Sequence, residues 1–146
     1  MRVPEDWRYW AVWTFFRRKP APPQAEPPLA GAPQRARLKS YSAQSGYVYQ
    51  YVYRGYRAAG QAETEYVFSA TSDRKNWRLI RVVLDQATID RWSSGAGRVL
   101  LPAESYAIAK LTLFDFFDAS PDGRAPEPLR PGAEDIARYL DSLGRM

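Results

Sequence analysis

Residues 47–56 read YVYQYVYRGY, with tyrosine at 47, 49, 51 and 53. A repeat of two is the spacing of a β-strand, where successive side chains point to opposite faces, and it does not fit one side of a helix. The chain must therefore build a sheet around this segment. Tyr47, Tyr49, Tyr51 and Tyr53 share one face, and Val48, Gln50, Val52 and Arg54 share the other. Two uses of the tyrosine row compete. It can be a half-buried sheet face packed on a helix, which suits tyrosine. It can also be a partner surface whose rings stack bases or hold a proline-rich ligand.

Two more strand candidates come after short breaks, ETEYVFSAT at 63–71 and WRLIRVVL at 77–84. Short connections favour an antiparallel meander. In the second strand Thr64, Tyr66, Phe68 and Ala70 form an apolar side, while Glu63, Glu65 and Ser69 mark a solvated one. In the third, Ile80, Val82 and Leu84 stand opposite Trp77, Leu79, Arg81 and Val83, so neither side is clearly polar. Asp85 offers an N-cap to QATIDRWSS, which Gly95 and Gly97 end; SSGAGR at 93–98 thus reads as a helix C-cap and not as a phosphate loop. Pro102 starts a helix over 102–118, and a short helix over 133–143 comes after a Pro/Gly-rich loop at 119–132. Strands first and helices after give an α+β class: a three-stranded antiparallel meander covered by C-terminal helices. The 102–118 helix is apolar over a broad arc of Tyr106, Ala107, Leu111, Leu113, Phe114 and Phe117, with Ala109 and Phe116 outside its centre. One sheet does not bury all of it.

The stretch at 3–20 predicts an isolated helix, with Pro4, Glu5 and Asp6 at its start, Arg17, Arg18 and Lys19 at its end, and Pro20 as a stop. Trp7, Tyr9, Trp10, Trp13, Phe15 and Phe16 surround most of its axis, so it must be buried in something. From Trp7 to Phe16 it would be about 15 Å long, half the thickness of a bilayer core, and too short to span. A signal-peptide pattern is not expected either. Residues 20–36 hold six prolines and form an extended spacer. The division expected is an aromatic, basic anchoring helix at 1–19, a Pro-rich linker at 20–40 and an α+β domain at 41–146.

The 146 residues include neither Cys nor His, which removes thiolate and imidazole chemistry. The carboxylate pairs Asp115/Asp118 and Glu63/Glu65 read as solvated charges, with acid/base work or a hard cation as the alternative. Charge is uneven: residues 1–57 hold ten Lys/Arg against three acids, and residues 58–146 hold eleven against thirteen. A basic front third implies an anionic membrane face or nucleic acid as partner.

SGYVYQYVY, TEYVFSATSDRKNW and YAIAKLTLFDFFD together resemble small bacterial domains of no assigned activity, over residues 41–118. The resemblance implies an α+β architecture and brings no catalytic motif. The expectation is a non-enzymatic accessory or scaffolding subunit, docked peripherally at the cytoplasmic membrane face on a larger complex, respiratory or photosynthetic. Trp7, Tyr9, Trp10, Trp13, Phe15, Phe16, Arg17, Arg18 and Lys19 would make the partner or membrane contact, and Tyr47, Tyr49, Tyr51 and Tyr53 a further partner surface. No cofactor, metal or small-molecule substrate is expected. The alternatives are a nucleic-acid-binding module using the basic third and the tyrosine face, and a carboxylate-based enzyme.

Overall fold

The computed structural model describes residues 27–119 and 128–144. The helix expected at 3–20, with all its anchoring residues, lies outside the described residues, as does the spacer up to residue 26. The described chain makes four strands, where the sequence reading expected three. They are β1 (Lys39–Ser42), β2 (Val48–Ala58), β3 (Glu63–Thr71) and β4 (Arg78–Asp85). They lie in the order β1-β2-β3-β4, every neighbour antiparallel. The added strand, KSYS, is an edge of four residues with no apolar alternation of its own. Pairing from Lys39↔Tyr51 to Ser42↔Val48 holds it to β2.

Three helices come after the strands: α1 (Gln86–Ala96), α2 (Pro102–Ala119) and α3 (Ala133–Gly144). Asp85 caps α1, its side chain accepting from the Ala87 N–H, and Gly97 ends it in the left-handed region. The helices cover the sheet face formed by Tyr49, Tyr51, Tyr66, Phe68, Ile80, Val82 and Leu84. Against that face α2 buries Ile108, Ala109, Thr112, Leu113, Phe116 and Phe117. Ala109 and Phe116, expected outside its centre, are thus core. The surplus of apolar surface on α2 has a physical answer: α3 lays Ile136 and Tyr139 on it from one side, and Tyr41 of β1 stacks on Phe114 at 4.1 Å from another.

The tyrosine side of the sheet departs from a regular meander in two places. A bulge between Tyr53 and Gly55 shifts the β2 register, since Tyr53 pairs with Phe68 and Gly55 with Val67. The extra residue returns Tyr56, opposite Tyr66, to the tyrosine side. The described end of the spacer also joins the sheet. Ala30 exchanges two 2.9 Å backbone hydrogen bonds with Tyr56. Ala30 and Lys39 therefore pin the chain to β2 at Tyr56 and Tyr51, and the residues between them form a strap over that edge.

Candidate functional site

Beyond the strap, the tyrosine side of the sheet opens into a cleft of about 540 Å³. Tyr53, Tyr56, Thr64 and Tyr66 form its floor, Tyr106 and Ser105 come from the first turns of α2, Leu100 and Pro102 precede them, and Gly31 and Pro33 close it from the strap. Its rings form two pairs, Tyr53 with Tyr106 at 4.8 Å and Tyr56 with Tyr66 at 5.9 Å between centroids. Gly31, at a φ of 76°, lies so close to the Tyr56 ring that a side chain there would collide with it. A smaller lobe of about 170 Å³ adjoins, lined by Arg37, Lys39 and Tyr51 and sharing Pro33, Tyr53 and Tyr106 with the first.

Burial sets the protonation of these rings. It pushes the Tyr51 hydroxyl up to about 12, with Tyr106 adding to the effect, and it raises Tyr53, Tyr66 and Tyr106 as well. On α2, desolvation first and neighbouring Lys39 second lower the Lys110 ammonium.

The tyrosine row is split between core and surface. Tyr49 and Tyr51 are each 3% exposed. Tyr49 stacks on Phe117 at 4.1 Å, and Tyr51 meets Phe114 edge-on at 5.6 Å. Tyr53 lines the cleft, and Tyr47 stands exposed beyond the helix. Tyr56, Arg37 and Lys39 line the cleft and its smaller lobe without having been singled out in the sequence, and Tyr66 and Tyr106, read there only as parts of an apolar strand face and helix arc, line it as well. One signal was available for Tyr56: a glycine inside a strand run marks a bulge.

The carboxylates read as solvated are tied in. Asp118 accepts the Tyr41 hydroxyl and the Gln44 N–H, both at 2.8 Å, which clamps the β1–β2 hairpin to the end of α2. Asp115 accepts the Tyr139 hydroxyl at 2.6 Å and Arg138 at 3.0 Å, joining α2 to α3. Glu65, 7% exposed, meets Arg57 at 2.7 Å and Arg81 at 3.2 Å. The face expected to be wet is thus partly dry, with Ser69 also buried. Long arginine side chains neutralise the carboxylate there, so burial does not leave it an unpaired charge.

That opposite face of the sheet carries no packed helix among the described residues. It keeps Val48 54% and Leu79 50% exposed, around Val52 and Ser69, which pair across β2 and β3 next to Leu79; Trp77, 44% exposed, lies just before β4, two residues from Leu79.

Alkali tests the packing of the tyrosines. Burial, then the hydrogen bond to Asp118, holds Tyr41 at about 12, and burial holds Tyr51 at about 12, against an ordinary value of 10. The fold favours the neutral phenol, so this stability is complete below pH 10 and is lost as the pH rises through about 12. The urea midpoint should fall steeply in that window, together with the rise in tyrosinate absorbance. A flat midpoint would show that these hydroxyls are as solvated as in the unfolded chain.

No family model, curated protein or solved structure matches the chain.

Proposed function

We propose that this chain is a non-catalytic accessory subunit that docks on a larger membrane assembly through two contacts. One is the aromatic, basic segment 1–19. The other is the sheet face at Val48 and Leu79, with Trp77 beside it, which no helix covers among the described residues. The observation that carries the reading is exposed Val48 and Leu79 on one face, with exposed Trp77 two residues from Leu79, tryptophan being enriched at interface hot spots. Arg17, Arg18 and Lys19 would each add about 1 kcal/mol near an anionic leaflet. That makes reversible attachment, which calls for a second contact. No helix among the described residues is long and apolar enough to cross a membrane. The host we propose is a respiratory or photosynthetic complex at the cytoplasmic face, and a pulldown of the chain from its native membranes identifies it.

Charge and ring substitutions separate lipid from protein as the receiver of segment 1–19. Attachment to lipid alone should weaken when Arg17, Arg18 and Lys19 become Gln, and should fall with added salt. A protein groove should depend on single rings, with Trp10→Ala or Trp13→Ala costing about 2 kcal/mol. We expect both effects. Attachment indifferent to all of these changes would remove segment 1–19 from the interface.

Nucleic-acid binding stands as a second reading because Arg37 and Lys39 lie beside Tyr53 and Tyr106. Its test has to use the rings of the cleft, since Tyr49 and Tyr51 belong to the core.

A further inference from the structure

The cleft lies on the helix side of the sheet, away from the proposed docking face, and cations border it. Arg37 and Lys39 line its smaller lobe. Lys110, one helical turn beyond Tyr106, holds its ammonium over Phe114 at 5.7 Å from the ring centre, and Lys39 is near enough to act on its charge. Among the described residues, none of these cations forms an ion pair with a carboxylate. Two ammonium groups held together repel, and an anion between them relieves the repulsion and takes charge-assisted hydrogen bonds from both. In the larger lobe two pairs of tyrosine rings line a cleft of about 540 Å³, and aromatic side chains hold flat rings by stacking. Thr64 and Ser105 add hydroxyls to the same walls. Because the lobes share Pro33, Tyr53 and Tyr106, a single ligand can fill both.

We propose that this cleft binds a nucleotide unit, its base among Tyr53, Tyr56, Tyr66 and Tyr106 and its phosphate on Arg37, Lys39 and Lys110. Other ligands suit only half of the site. A quaternary ammonium suits the rings but meets two cations, Arg37 and Lys39, in the adjoining lobe. A neutral proline-rich peptide suits the rings and leaves the cations unrelieved. The same unit occurs in a free nucleotide and in a single strand of nucleic acid. The site rests on the cleft that favours the nucleic-acid reading and is independent of the docking face, so its failure leaves docking untouched.

The experiment is calorimetric titration of the full chain with AMP, adenosine, ribose 5-phosphate and a short single-stranded oligoadenylate. AMP should bind at least about tenfold more tightly than either half-molecule, and more weakly as salt rises. Lys39→Gln with Lys110→Gln should weaken AMP severalfold, Arg37 still holding the phosphate, and leave adenosine unchanged. Tyr56→Ala, at a ring 43% exposed and outside the core cluster, should weaken AMP and adenosine alike by about tenfold. If the oligoadenylate binds more tightly than AMP and with a steeper salt dependence, the source is a strand; if it binds no better, the source is a free nucleotide. Either result supports the site. Absence of binding by both AMP and the oligoadenylate at millimolar concentration would overturn it. So would AMP binding equal to that of adenosine and indifferent to the lysine pair, a readout that stands even if Tyr56→Ala does not fold.

Discussion

Phe117→Ala is expected to lower folding stability by about 3–5 kcal/mol, the usual result of emptying a buried phenylalanine site. The ring is fully buried. It stacks on Tyr49 at 4.1 Å and lies 6.0 Å from Tyr41 and 6.3 Å from Tyr51, so three strand residues lose the same partner together. Its backbone carbonyl accepts the Ser45 hydroxyl at 3.0 Å, two residues before Tyr47, so a cavity here also loosens the hairpin that carries β1. Folded domains are stable by about 5–15 kcal/mol in total, which makes this a large share. Urea unfolding at constant slope measures it. A loss below about 1 kcal/mol would mean that the tyrosine row and α2 do not share a core.

Gly55→Ala is expected to be the costliest change that removes no atom. The φ of Gly55 is 117°, which L side chains rarely adopt, and a Cβ there would lie 2.5 Å from the Ala30 carbonyl oxygen. Backbone strain of this kind costs about 1–3 kcal/mol, and the collision is with main chain, which cannot rotate away. The relief available is to break the Ala30–Tyr56 bridge, so the strap should lift before the sheet melts. Amide hydrogen exchange separates the two events: Ala30 and Tyr56 should lose protection while Phe68 and Val82 keep it. Continued protection of Ala30 in the variant would show that the strap is held by something other than this bridge.

The outlines legible in the sequence were those set by local chemistry. The period-two tyrosines marked β2, Asp85 and Gly97 marked the ends of α1, and the order of segments marked an α+β sheet with its helices after it. The parts that were not legible depend on neighbours far away in the chain. β1 is too short to carry a pattern and exists through its pairing with Gln50 and Tyr51. Glu65 reads as a surface charge until Arg57 and Arg81 are placed beside it. The cleft joins Pro33, Tyr56, Tyr66 and Tyr106, residues that no spacing rule connects, and it depends on a bulge whose only mark is one glycine. The even apolarity of α2 was legible as a surplus, but its cover, α3 on one side and Tyr41 on another, emerged only from the tertiary structure.

If two separate surfaces hold this chain to a membrane assembly, as we propose, retention on washed native membranes depends on both of them. Four forms are compared: the full chain, the chain without residues 1–19, the chain with Trp77→Ala and Leu79→Ser, and the chain with both changes. Trp77 and Leu79 are half-exposed, so their replacement should leave the circular dichroism of the domain unaltered. Each single change should weaken retention, and the combination should release the chain into the supernatant in folded form. Retention of the doubly changed chain equal to that of the unaltered one would contradict the account.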